Sequence, residues 1–391
     1  MTADLTAGES APVTACVTGY GAVTALGSAS QTWAGVLAGQ TAARPWQDLA
    51  DEGFAVTTAC RVTHLPTGEP ERRGRDLASA AVADALGLAD GALDAVPGDR
   101  IGVYLGTTMG ESAGYERATS SFSVDAHNGA ALARHVAELL GATGPVRAYG
   151  TACAAGNYAI GAAAAAVRAG RVDVAVAGGV EPFSRIAMVG FSRMRAMTPD
   201  LCRPFVAGRR GMQLGEGAAF VVIESAERVA ARSADALAVV GALGLASDAH
   251  HPTSPRPDGS GMAAAMLASL SRSSVSPADV GWVSAHGTGT AQSDAAEAVA
   301  LRAVFPDGVP VSSIKGAIGH TMGAASAVET VVAVQALAAG TLPPNVNGSS
   351  PDPGLGLDVV VAPRRADVRW VLNCAYAFGG LDSALLLGRA A

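Results

Sequence analysis

A single lysine stands in this chain of 391 residues: Lys315, in the stretch SSIKGAIGHTMGAAS, five positions ahead of His320. Every other basic position among the 27 is an arginine. Arginine-rich coding explains that bias, and it makes the surviving lysine informative. An ammonium is a compact point charge and a guanidinium a larger planar fork, so the two do not exchange freely in a tight polar site. Two further stretches carry reactive side chains. In YGTACAAGNYAIG, Cys153 falls where a strand ends and an alanine-rich helix begins, and Ala152, Ala154, Ala155 and Gly156 leave room for a bulky group on sulfur. The free N–H groups and dipole of a helix start favour a thiolate, which predicts a lowered thiol pKa. The alternative is a small buried residue, a common fate for cysteine. In SAHGTGTAQSDAAEA, His286 closes the apolar strand VGWVSA and opens a loop holding Thr288 and Thr290, with Asp294 and Glu297 following on a helix start. Acids at a helix start are favourable with or without chemistry.

These residues must be brought together by elements far apart in sequence. Alternating strands and helices predict an α/β fold with covered sheets. Strands are expected at Val13–Thr18, Arg100–Thr107, VRAYGTA, VDVAVAGG, AAFVVIES and ALAVVGALGLAS, with helices near Gln31–Ala38, Arg75–Leu86, Gly129–Leu140 and Cys153–Ala169. From about Asp248 the pattern starts again, with helices at Gly261–Ser271, Asp294–Val304 and Ala324–Ala339 and strands at VGWVSA, VPVSS, WVLNCAY and ALLLG. The helices opening at Cys153 and near His320 look alike, glycine-opened and alanine-rich. The reading is of a short flexible tail over 1–11, then two halves, 12–247 and 248–391, related by a pseudo-twofold axis. The two helix starts would then meet and gather one thiol and two imidazoles in one cavity. Lys315 would pair with Glu297 and bias the histidines.

Other chemistries fit less well. The net charge of −7 and the absence of basic runs argue against nucleic-acid binding. GYGAVT has Gly19 and Gly21 but Thr24 where a dinucleotide fingerprint needs glycine, so a tight strand–helix turn is the better reading. No phosphate loop surrounds Lys315. No HExxH occurs, His250 and His251 are adjacent, and His64, His127 and His135 lack partners at useful spacing, so no metal site is expected. Five scattered cysteines without a CxxC pair suggest a reducing compartment. The first residues carry no signal-peptide pattern, and no apolar run is read as reaching the roughly 18 residues of a membrane span. The expectation is a soluble, cytoplasmic chain without a membrane partner.

Taken together, Cys153 in TACAAG, His286 in AHGTGT, Lys315 and His320 in KGAIGHTMGAA and the closing AFGG resemble the decarboxylating β-ketoacyl-acyl-carrier-protein synthases, over nearly the whole chain. The resemblance implies a duplicated, thiolase-like five-layer α/β/α/β/α fold and a homodimer or ketosynthase-type heterodimer. It implies that Cys153 accepts the acyl group and that His286 and His320 donate hydrogen bonds to a malonyl thioester. Lys315 and Glu297 would support them, and the backbone N–H groups of Cys153 and Phe378 would hold the acyl oxyanion. It gives Thr288 and Thr290 to the phosphopantetheine arm, Phe378 to a gate, and Thr108, Met109 and Phe191 to the acyl pocket. It calls for an acyl-carrier protein as partner and for neither metal nor redox cofactor. Arg72, Arg73, Arg75 and Arg195 are candidates for docking that acidic partner. A thiolase would need a second cysteine, for which Cys374 is the neighbour; initiating synthases carry asparagine for one histidine, and chain-length-factor subunits lack the nucleophile. The competing reading is a non-elongating acyltransferase or a partner subunit.

The sequence departs from the family pattern in three places. The gate reads Tyr376-Ala377-Phe378-Gly379-Gly380, with Ala377 replacing a glycine. PFVAGRRGM puts Val206, Arg210 and Met212 where acidic and aromatic residues are usual, and GTTMGES puts Thr108 and Met109 at the pocket floor. The region around Pro45–Arg75 is shortened. These changes suggest a polyketide or specialised-lipid synthase rather than a housekeeping fatty-acid enzyme.

Overall fold

The computed structural model describes residues 13–66, 68–117 and 127–390; the tail expected over 1–11 lies outside them. In the first half, β1 is Ala15–Thr24, α1 Ala29–Leu37, α2 Arg73–Leu88, β2 Ile101–Gly106, α3 Gly129–Leu140, β3 Val146–Tyr149, α4 Ala155–Arg168, β4 Val174–Glu181, α5 Arg185–Arg193 and β5 Gly217–Ser225. In the second, β6 is Ala238–Ser247, α6 Ser260–Arg272, β7 Val280–Ser284, α7 Ala291–Val304, β8 Pro310–Ser312, α8 Ala325–Ala339, β9 Asp358–Val359, β10 Trp370–Ala377 and β11 Leu381–Arg389.

The strand order is β9-β8-β7-β10-β11-β6-β1-β5-β4-β2-β3. From the centre outwards, β1-β5-β4-β2-β3 and β6-β11-β10-β7-β8 are the same path. The two half-sheets meet through a three-residue antiparallel pairing, Ala15–Val17 against Ala238–Val240. By topology β6 opens the second half, so the seam lies before Ala238 and not after Ser247. The sequence hides this because β6 reads as one more strand of the preceding run.

Alternate side chains of the strands enter different cores, which is what a sheet covered on both faces requires. Ala219, Val221 and Ile223 of β5 face the core that contains α4 and α8, whereas Ala218, Phe220 and Val222 face the one containing α2 and α3. On the other sheet Leu385 and Leu387 join the middle core, and Ala384 and Leu386 the core of α6 and α7. The layers are therefore outer helices, sheet, the α4–α8 pair, sheet, outer helices, as the resemblance implies. Helix α8 is buried all round from Ala325 to Leu337. With its preceding turn, Met322–Ala339 is long and apolar enough to cross a membrane, contrary to the sequence expectation, but 89% of it is buried inside the fold. A central-layer helix and a membrane helix obey the same composition rule, since neither has a wet face.

Gly19 and Gly21 do not form a turn. They lie inside β1, which continues to Thr24. A Cβ on Gly19 would sit 2.2 Å from the Ala85 carbonyl oxygen, and one on Gly21 2.1 Å from that of Ala81. These glycines let the backbone of α2 lie directly on the strand. Gly21→Ala is expected to lower unfolding free energy by about 3 kcal/mol, because a backbone carbonyl must move. Gly87→Ala, in α2 with no atom within 4 Å of the added carbon, should raise it by about 0.5–1 kcal/mol through helix propensity. Urea denaturation of the two variants checks both signs.

Candidate active site

Cys153 is the middle residue of a single 3₁₀ turn, Ala152–Ala154, that leads into α4. Ala152 has φ +47°, a left-handed conformation that alanine adopts only under local constraint. The same device precedes α8: Met322, at φ +45°, starts the turn Met322–Ala324. Gly323, and not His320, is thus the counterpart of Cys153, and His320 stands three residues earlier. The helix starts cross at Gly156, where a Cβ would lie 2.7 Å from both the Ala327 nitrogen and Ser326 Oγ.

The crossing brings the expected residues together. His320 Nε2 is 3.0 Å from Cys153 Sγ. The two imidazoles stand edge to face with centroids 5.4 Å apart. Donor atoms of Cys153, His286 and His320 all lie within 4.8 Å of one another, a closeness that sequence spacing does not reveal. All three line a cavity of about 410 Å³, whose wall also includes Thr288, Thr290, Phe191 and Phe378. The Thr288 and Thr290 hydroxyls are 3.0 Å apart. The Phe378 ring leans on Phe191 with centroids 5.6 Å apart. Thr108 and Met109 are not on this wall: their N–H groups point to Glu181, and the Met109 side chain packs behind the surface with Phe191. Cys374 belongs to the outer core of the second half, away from the cavity.

Burial dominates the electrostatics. The Cys153 thiol is pushed up to about 12 by burial, which outweighs the Lys315 charge acting against it. The lowered pKa expected from the helix start is therefore not found in this closed site. Both imidazoles are held well below their ordinary value, by burial first and then by the Lys315 charge; they are neutral at physiological pH. The Met322 N–H donates to His320 Nδ1 at 3.2 Å. That nitrogen must offer its lone pair, so the ring proton is on Nε2, facing the sulfur.

Lys315 pairs with Glu329, not with Glu297. Its Nζ donates to Glu329 Oε1 at 2.5 Å and to the His286 carbonyl at 2.6 Å, with the side chain 1% exposed. Glu297 accepts the backbone N–H groups of His286 and Gly287, each at 2.8 Å, and Asp294 those of Gly289 and Phe205. The two acids of α7 thus cradle the histidine loop. Burial pushes Glu297 up to about 8 and Glu329 up to about 7. Glu329 was readable in principle: it is the one charged residue in α8. Tyr376, whose ring meets His286 edge-on at 5.9 Å, had no sequence signal beyond its place beside the gate. Arg73 is buried against Glu216 at 2.7 Å and cannot dock a partner. Arg75 lies 3.9 Å from Glu111. Arg195 and Arg210 line the cavity mouth.

A repeated topology with its reactive groups at the junction of the halves places the chain among the thiolase-like condensing folds. The chain belongs to the β-ketoacyl synthase family. Residues 72–228 match the family described as beta-ketoacyl synthase, N-terminal domain, and 237–349 its C-terminal domain. Nodulation protein E of Rhizobium meliloti (strain 1021) is 34% identical, the match covering 94% of this chain and 97% of that protein. The 3-oxoacyl-[acyl-carrier-protein] synthase 2 of Staphylococcus aureus is 32% identical over 95% of this chain and 99% of that one. Among solved structures, the ishigamide ketosynthase/chain length factor superposes with a TM-score of 0.89 at 33% identity, covering 97% of this chain and all of that one. A beta-ketoacyl synthase from Burkholderia phymatum STM815 gives 0.88 at 31%, with the same coverage.

A second acid pair, Asp248 and Asp382, sits buried on the cavity wall. A Cβ placed on Gly261 would lie 2.2 Å from Asp248 Oδ1 and 2.4 Å from Asp382 Oδ2, so the two oxygens face one point. Burial, then the Asp248 charge, pushes Asp382 up to about 8. The folded chain therefore keeps a proton that the unfolded chain releases near its ordinary value of 3.8. That contribution to stability is complete below the unfolded value and is lost as pH rises through the folded one. Asp382→Asn should flatten the fall in melting temperature between about pH 4 and 8, measured by calorimetry across that range.

Proposed function

We propose that this β-ketoacyl synthase elongates acyl chains by decarboxylative condensation with a malonyl thioester, both substrates arriving on the phosphopantetheine arm of an acyl-carrier protein. Cys153 Sγ attacks the incoming acyl thioester; its proton leaves with the departing pantetheine sulfur, and the acyl group stays on the enzyme. The malonyl thioester then enters past Thr288 and Thr290. Neutral His320, through its Nε2–H, and neutral His286 donate to its carbonyl and stabilise the enolate left when carbon dioxide departs. The enolate carbon attacks the acyl carbonyl on Cys153, the sulfur is expelled as thiolate and regains a proton from water, and the β-ketoacyl thioester leaves on the carrier. The backbone N–H groups of Cys153 and Phe378 hold the passing oxyanion, Lys315 and Glu297 set the histidine loop, and no metal or redox group takes part.

The observation carrying this reading is the His320 tautomer: a neutral ring whose proton is aimed into the cavity is a hydrogen-bond donor, not a base. The exposed Arg195 and Arg210 on the cavity wall suit an acidic carrier. The open edge of β3 suits pairing with a second ketosynthase subunit, identical or homologous. Among the neighbours, one is described as a type II polyketide-synthase carrier protein in complex with its ketosynthase, and another as a ketosynthase with its chain length factor, which supports both partners. All five cysteines are free, as a cytoplasmic setting requires. The departures at Ala377, Val206, Arg210 and Met212 favour a polyketide or specialised-lipid pathway.

Intact mass and carbon dioxide release together test the reading. Cys153→Ala should lose acyl loading entirely. His320→Ala should still load Cys153 yet release carbon dioxide from malonyl-carrier protein at least about 100-fold more slowly. Lys315→Arg should impair condensation although the charge is kept. A wild-type enzyme that loads acyl groups without decarboxylating malonyl-carrier protein is an acyltransferase or partner subunit instead.

A further inference from the structure

The reactive turn has a duplicate, and the duplicate is occupied by the protein itself. Thr151-Ala152-Cys153-Ala154 and Thr321-Met322-Gly323-Ala324 share their conformation residue by residue. The caps are at φ −90°, ψ 40° and φ −84°, ψ 26°, and left-handed residues follow at +47° and +45°. Where the first turn carries a sulfur, the second carries none. A Cβ on Gly323 would fall 2.5 Å from the Thr108 nitrogen and 2.6 Å from Thr107 backbone atoms. The Gly323 N–H instead donates at 2.8 Å to a buried carboxylate, Glu181 Oε2. The same carboxylate accepts the N–H groups of Thr108 and Met109, both at 2.8 Å, and the Thr107 hydroxyl at 3.4 Å. Glu181 ends β4 and is 1% exposed. Three convergent backbone N–H groups around a fixed anion form an anion cradle of the kind that stabilises oxyanions.

This cradle bears on catalysis through one intermediate residue. Met322 lies between the two anchored neighbours: its N–H fixes His320 Nδ1, and the next N–H is fixed by Glu181. A left-handed methionine is costly and persists only when its surroundings over-determine it. We propose that Glu181 is a positioning residue: its carboxylate clamps the Met322–Gly323 turn and so keeps the His320 proton on Nε2, while the same oxygens tie down the loop Thr107–Met109. The proposal deepens the reading of His320 as a donor and rests on it. Glu181→Gln keeps the size but turns an NH₂ group towards N–H donors, which leaves at least one of them without an acceptor. Burial pushes the Glu181 carboxyl up to about 7 against the opposing backbone donors, so the clamp also weakens as pH falls below neutrality.

The test is ¹⁵N NMR of the full-length enzyme carrying ¹⁵N-labelled histidine, with the His320 signals assigned by loss in His320→Gln. Wild type should show Nε2 protonated and Nδ1 bare. In Glu181→Gln the two nitrogens should move towards averaged shifts. Malonyl decarboxylation should fall about 10- to 100-fold while acyl loading of Cys153 stays within about threefold, and Glu181→Asp should recover part of the loss. A wild-type spectrum with the proton on Nδ1 overturns the proposal even if no variant folds. An unchanged His320 signature in Glu181→Gln overturns it, as does an equal loss of both half-reactions, the mark of a merely structural carboxylate. The tautomer is read without turnover, so failure of the condensation reading would appear separately, as wild type that does not decarboxylate.

Discussion

The site depends on one steric fact: two helix starts from different halves of the chain touch without side chains between them. Gly156 makes this possible, since any β-carbon there would run into the backbone of Ala327 and the Ser326 hydroxyl. Ser326 Oγ in turn accepts the Asn157 N–H at 2.9 Å, so the crossing is tied as well as close. Everything reactive hangs from it. The turn before α4 delivers the sulfur, the turn before α8 delivers His320, and the second half-sheet delivers both His286, after β7, and the gate, between β10 and β11. Alanine is abundant in both helices, and glycine in α4, because a thin central layer between two sheets favours small side chains.

Onto that geometry the chain places its one lysine, buried among several buried acids. The Lys315 charge lowers the pKa of Cys153, of both histidines, and of Asp294, Glu297 and Glu329. Its effects on the two kinds of base differ in consequence. It opposes the burial that disfavours carboxylates and thiolate, and it reinforces the burial that keeps the imidazoles neutral. A compact ammonium reaches both Glu329 and the His286 carbonyl within 2.6 Å. A planar fork in a pocket 1% exposed would have to displace one of them. This is the physical reason an arginine-biased chain keeps one lysine.

The periodicity of the sequence was enough for the order of elements and for a pattern that repeats, though not for the seam between the repeats, because strands buried on both faces and largely apolar helices leave strong local patterns. Three matters were not legible. Whether Gly19 and Gly21 make a turn or a helix–strand contact depends on α2, more than fifty residues away, and no local pattern carries that. The partner of Lys315 was expected to be Glu297, beside the histidine loop, yet it is Glu329 in α8 that reaches the ammonium. The thiol was expected to be acidified by its helix, a term that holds at a wet helix start; here desolvation is larger. In each case the missing information is tertiary distance or burial, which residue type alone does not encode.

Duplication gives this fold two strained turns, and the chain uses them asymmetrically. A backbone N–H pointing from such a turn needs an acceptor, because a buried donor left alone costs about 1–3 kcal/mol. At Gly323 the acceptor is built in as Glu181, which locks that turn and converts it into a support for His320. At Cys153 the equivalent turn lines the cavity, and in the proposed condensation its N–H would take a substrate oxyanion in the place the carboxylate holds in the other half. On that reading one half fills its anion cradle with Glu181 and serves as scaffold, while its twin leaves the cradle to substrate and carries the sulfur. Reactivity here arises from which of two like sites the chain leaves unfilled.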